Sequence, residues 1–116
     1  EVLAYLAEKH GYSKQELDAS YQRCDDLLKH FSSHLTQQKA AGSRYYIGNS
    51  LTALDLYAAV LFAIMINPLP HDDIPMPEGM RWGFSQPLPC LDSAAPILFE
   101  HRDYIFSNYL TLPLDF

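Results

Sequence analysis

The side chains able to do chemistry are few and scattered through the 116 residues. His30 and His34 stand four apart, a spacing that puts both imidazoles on one side of a helix and can chelate a metal. His71, Asp72, Asp73 and His101 are the groups that would have to converge on them, since no third ligand lies nearby in sequence. The plainer reading of this pair is two solvated or interfacial histidines. Glu100-His101-Arg102-Asp103 holds a histidine and a carboxylate, but consecutive helical positions diverge, so surface ion pairs are expected there. Cys24 and Cys90 form no CxxC motif. Cys24 falls on an apolar helical face and is expected to be inert core, while Cys90, between proline-rich flanks, is expected to be more exposed and open to a mixed disulfide. None of these groupings specifies a catalytic residue or a metal site.

Composition narrows the classes. Fourteen acidic residues against eight Lys and Arg give a net charge of −6 with no basic run, which disfavours nucleic acid and anionic lipid as partners. An apolar fraction of 48% fills a core without disulfide or metal. The longest apolar run, Leu56 to Ile66, is too short to span a bilayer. Two cysteines in a chain of this length fit a reducing compartment, and a cytoplasmic location is expected. The chain opens on Glu1 rather than Met, and its first helical stretch has no capping residue in front; both are read as signs of truncation.

The elements that must position these groups follow from capping and periodicity. Residues 1–10 are helix formers ending at Gly11. Ser13, with Glu16 three residues on, reads as a capping box opening a helix to about Ala41. Along it Leu17, Tyr21, Cys24, Leu28, Phe31 and Leu35 line one face. From Thr52 to about Ile66 the chain is apolar on every side after Asp55, which predicts a central helix surrounded by others. Six of the eight prolines lie between Pro68 and Pro89. That stretch is expected to be a long ordered loop, with at most a short helical turn around Glu78 to Phe84, laying apolar side chains across the bundle. Asp92 or Ser93 is expected to cap a last helix of fifteen to eighteen residues, with Pro96 in its first turn. The fold class is all-α.

The most informative segment is Gly48-Asn49-Ser50-Leu51-Thr52-Ala53-Leu54-Asp55-Leu56. Thr52 and Asp55 form a capping box, and Leu51 with Leu56 the hydrophobic staple beside it. On physics alone this is a folding element, and losing such a cap costs about 0.5–2 kcal/mol.

As a pattern, Tyr46-Ile47-Gly48, Thr52 and Asp55 ahead of an all-apolar helix resemble the capping box and staple of the glutathione S-transferase superfamily. In that family they open the buried helix of the C-terminal helical domain. The lead-in helix, with its Leu28-Lys-His-Phe31-Ser-Ser-His-Leu35 face, is similar as well. The resemblance covers residues 1–66; the proline-rich insertion and the Ile97-to-Tyr109 helix depart from it, and Pro89-Cys90-Leu91 is a partial echo. It implies that residues 1–116 are a helical bundle of that type, built around a buried central helix, with a thioredoxin-like domain upstream. Glutathione would be the co-substrate of the intact protein and bound by that other domain, which would also supply the catalytic group. The partners implied are the thioredoxin-like domain, a small apolar electrophile and, for the intact protein, a second copy. Detoxification is the implied role. Met80, Trp82 and Phe84 are the candidate pocket residues, with Tyr5 and Tyr104 behind them; sealing the loop to the bundle is the competing role. The same helical domain also serves as a non-enzymatic docking module in other proteins, which is the alternative.

Overall fold

The computed structural model describes residues 1–114, all helix and connection, with no strand among them. The order is α1 (Val2–Lys9), α2 (Lys14–Ala40), α3 (Ala53–Ile64), α4 (Glu78–Phe84), a 3-10 turn (Pro89–Ser93) and α5 (Pro96–Tyr109). Among the described residues no helix is long and apolar enough to cross a membrane.

α2 starts where its cap chemistry dictates. The Ser13 hydroxyl accepts from Glu16 N at 3.1 Å, while the Glu16 carboxylate turns to Arg23 at 3.8 Å instead of closing a box. Leu28 and Leu35 are buried, and Leu17, Tyr21, Cys24 and Phe31 are half-buried, so the face expected from their spacing is the one that packs. The helix ends on Gly42 at φ +87°, where the Ser43 amide bonds back to the Gln38 carbonyl at 2.9 Å. That left-handed position favours glycine.

α3 is the hub. Ala58 and Phe62 join Leu28, Leu35, Tyr46 and Leu98 in one cluster, while Ala59 and Ala63 join Ile74, Met76, Ile105 and Phe106 in another. Three alanines on its packed faces let α5 approach closely. The expectation that α3 is surrounded is corrected: Tyr57 (75% exposed), Leu61 (47%) and Met65 (45%), spaced by four, leave one stripe open to solvent. Uniform apolarity hides which face lacks a neighbour, because no polar residue marks it. α1 likewise buries none of its residues.

The proline-rich stretch is ordered, but it is not all loop. Between Pro77 and Pro87 no proline interrupts the chain, and α4 forms there. Arg81 on α4 donates to the carbonyls of Leu69 (2.8 Å) and Ile74 (2.7 Å), and Arg102 on α5 donates to that of Asn67 at 3.1 Å. Two guanidinium groups therefore satisfy carbonyls that no ladder serves. The last helix is corrected as well: Ala95 is its cap residue, and Asp92 and Ser93 belong to the 3-10 turn before it. Replacing Arg81 with methionine keeps the stem and strands the fully buried Ile74's carbonyl. Its expected cost is about 2–3 kcal/mol in urea unfolding, with faster amide exchange across residues 69–76. An unchanged midpoint would show that the clamp does not hold the segment.

Candidate functional site

The best-built polar centre of the molecule begins with the turn between α2 and α3. His34 and Gln38, one helical turn apart on α2, reach its backbone. The His34 Nε2 bonds to the Tyr46 carbonyl, and the Gln38 amide donates to the carbonyls of Tyr45 (2.9 Å) and Gly48 (3.0 Å). The buried Ser43 hydroxyl donates to the Gly48 carbonyl at 2.6 Å and accepts from Tyr45 N at 3.2 Å. Gly48, at φ +62°, makes the reversal. The Tyr45, Tyr46 and Gly48 carbonyls are thus held by side chains of the preceding helix, while the Tyr46 and Thr52 amides face forward.

Those amides meet Asp55. Its carboxylate, with no exposed surface, accepts from Thr52 N at 2.8 Å and from the Thr52 hydroxyl at 2.9 Å, closing the capping box. Its other oxygen accepts from Tyr46 N at 2.9 Å and from His101 Nε2 at 2.9 Å. Leu51 and Leu56 are half-buried against the same apolar cluster as Ile105 and Phe106. Burial pushes the Asp55 carboxyl up, but the Tyr46 and Thr52 amides, His101 and the Thr52 hydroxyl outweigh it and hold the group below the usual carboxylate range.

His101 is the residue that sequence reasoning misplaced. It is 5% exposed rather than on the surface, as is Arg102 at 6%. Its ring packs edge-on against Tyr46, with centroids 4.5 Å apart. With Asp55 ionised, Nε2 carries the proton, and Nδ1 is buried without a partner. Burial lowers the His101 pKa by more than the Asp55 carboxylate raises it. A second proton would place an N–H where no acceptor meets it, so the imidazole is held neutral. Asp55 is ionised at neutral pH and has no exposed surface, which makes the constellation a structural tie across the turn, α3 and α5.

One concavity adjoins it at Ser43 and His101, and a second lies apart. A cleft of about 310 Å³ has Leu35 and Ile97 with Lys39, Ser43, Arg44, Glu100, His101 and Tyr104 around it. Lys39 pairs with Glu100 at 3.3 Å, and the Arg44 guanidinium lies 4.8 Å over the Tyr104 ring. A recess of about 300 Å³ is formed by Ile64, Pro75, Met76, Pro77 and Met80 and is almost wholly apolar.

The five sequence-derived pocket residues do not line one pocket, although Phe84 and Tyr104 pack against the same apolar cluster. Met80 lines the apolar recess. Trp82 is 69% exposed. Phe84 packs against the Ile74–Phe106 cluster. Tyr104 lines the polar cleft and its hydroxyl lies 3.5 Å from that of Tyr45. Tyr5 is exposed on α1, with the Lys9 ammonium over its ring. His30 and His34 stack with ring centroids 6.4 Å apart, and His34 is committed to the turn. Among the described residues, no three His, Cys, Asp or Glu side chains are grouped to hold a metal ion. Comparison with protein-family models, curated proteins and solved structures found no match.

Proposed function

We propose that this chain is the helical, substrate-pocket half of a glutathione S-transferase-like protein, in which glutathione is conjugated to apolar electrophiles in the cytoplasm. The observation that carries the reading is the Asp55 tie. An aromatic-aliphatic-glycine turn leads into a Thr-x-x-Asp box, and the box opens the helix on which the core is built. Order and chemistry together follow the pattern of that family's helical domain more closely than a lone capping box would.

On this reading the reaction is attack of a glutathione thiolate on an electrophilic carbon. A thioredoxin-like domain outside these residues lowers the thiol's pKa. The present residues supply shape and apolar surface. The recess of Ile64, Met76 and Met80 seats the electrophile's apolar body. Its methionines adapt to irregular outlines without specific polar contacts. The open stripe of Tyr57, Leu61 and Met65 is the face available to the other domain.

The test uses the whole polypeptide that carries these residues in the cell. It is expected to be retained on immobilised glutathione and eluted by free glutathione, and to conjugate 1-chloro-2,4-dinitrobenzene. Substituting Met80 with a charged residue should raise KM for the electrophile and leave that for glutathione unchanged. A folded sample that passes through the resin and shows no conjugation would overturn the enzyme reading in favour of a docking module, for which the same open stripe would be the contact surface.

A further inference from the structure

Cys24 was expected in the core and Cys90 in the open; the structure reverses the second expectation. Cys90, in the 3-10 turn, is 3% exposed, and Cys24 is half-buried on α2. The turn packs directly on α2, which makes the Cys90 thiol a neighbour of Cys24 across that contact. A polar tie one residue along α2 fixes the same register: the Ser93 hydroxyl donates to the Asp25 carboxylate, which Lys29 also holds at 2.7 Å. These are the chain's two cysteines. Their meeting across 66 positions of sequence is a product of the fold rather than of local spacing.

We propose that Cys24 and Cys90 are a redox pair that closes to an intramolecular disulfide in the native state, cross-linking α2 to the turn that launches α5. The oxidant is a low-molecular-weight disulfide. The Cys24 thiolate attacks one of its sulfurs, the S–S bond breaks, and one small thiolate leaves and takes up a proton. Cys90 then gives up its proton and attacks the Cys24 sulfur, expelling the second small thiol. Two protein thiols are oxidised, one disulfide is reduced to two thiols, and the balance is complete. The more accessible Cys24 takes the first step, and the buried Cys90 resolves it from within. Burial and the neighbouring Cys90 thiol push the Cys24 thiol up to about 11. Closure is therefore slow at neutral pH and quickens as pH rises. In a reducing compartment the pair stands as two thiols; an oxidising shift closes it and pins the entrance of α5.

The experiment is incubation of the folded chain with glutathione disulfide, followed by intact mass, thiol counting in denaturant and a non-reducing peptide map. Expected are a loss of about 2 Da, no titratable thiol, and one peptide pair linking residues 24 and 90. The closed form should melt roughly 10 °C higher than the reduced form, because the cross-link closes a long loop in the unfolded chain. Two thiols remaining, or stable mixed disulfides with glutathione, would overturn the proposal. So would a closed form that melts lower than the reduced one, since that would mean the native geometry does not accommodate the bond. All four readouts use the unsubstituted protein, so no variant has to fold.

Discussion

Replacing Asp55 with alanine is expected to lower stability by about 3–5 kcal/mol, with a melting temperature reduced by roughly 15–30 °C, because a fully buried acceptor is removed from four donors at once. A cap lost from an exposed helix end costs far less. Here the fully buried Tyr46 amide and the buried His101 N–H lose their acceptor, and the half-buried Thr52 amide loses its cap. His101 lies 46 positions from Asp55 and Tyr46 nine, so the loss falls on tertiary structure as well as on the start of α3. Asp55→Asn should recover only part of it: the amide oxygen can still accept, but its NH2 faces donors. Thermal melts followed by circular dichroism, with urea titration as a second measure, decide the matter. A D55A protein as stable as its parent would mean that the carboxylate is not the hub of the fold.

The second large effect is on acid stability. His101 carries a native pKa below its ordinary 6.5, and Asp55 one below its ordinary 3.8. Well above pH 6.5 the imidazole is neutral whether the chain is folded or not, so it contributes no pH dependence there. As pH falls from 6.5 toward the depressed native value, the unfolded chain binds a proton that the native chain refuses. Stability then falls with a slope of up to about 1.4 kcal/mol per pH unit. Below 3.8 Asp55 adds a second loss of the same sign, since the unfolded carboxyl protonates first. The groups facing the imidazole are the Asp55 carboxylate and the Tyr46 ring, with Glu100 and Arg102 beside it on α5 and Lys39 across the cleft. His101→Phe removes the upper window and keeps the lower one. Urea midpoints between pH 4.5 and 7.5 should therefore slope in the parent and flatten in the variant. Equal slopes would assign the acid sensitivity to other groups.

How much of this could be read from the sequence depends on the range of each interaction. The span of α2 and the Thr52–Asp55 box were legible because they rest on contacts within four residues, where spacing is geometry. The burial of Leu28 and Leu35, with Phe31 half-buried between them, followed for the same reason. His101 was not legible. Its partner lies 46 residues away, and its flanks, Glu100, Arg102 and Asp103, have the look of a solvated face. Arg102 was hidden in the same way; it is buried because the Asn67 carbonyl needs a donor. Arg81 gave no signal, since its role depends on carbonyls exposed by the prolines before it. Cys90 was misjudged because proline-rich flanks usually mean exposure, whereas here they shape a 3-10 turn that presses against α2. The open stripe on α3 illustrates a further limit: an apolar residue records the need for a partner but not its presence.

The position of Trp82 has a spectroscopic consequence. It is the chain's single tryptophan, it sits on the short α4, and more than two thirds of its surface is bare. Its emission in the native state should already lie close to that of a water-exposed indole, so melting of the core around α3 will barely move it. The same indole is well placed to shift blue when any molecule covers α4, which makes it an indicator of docking rather than of unfolding.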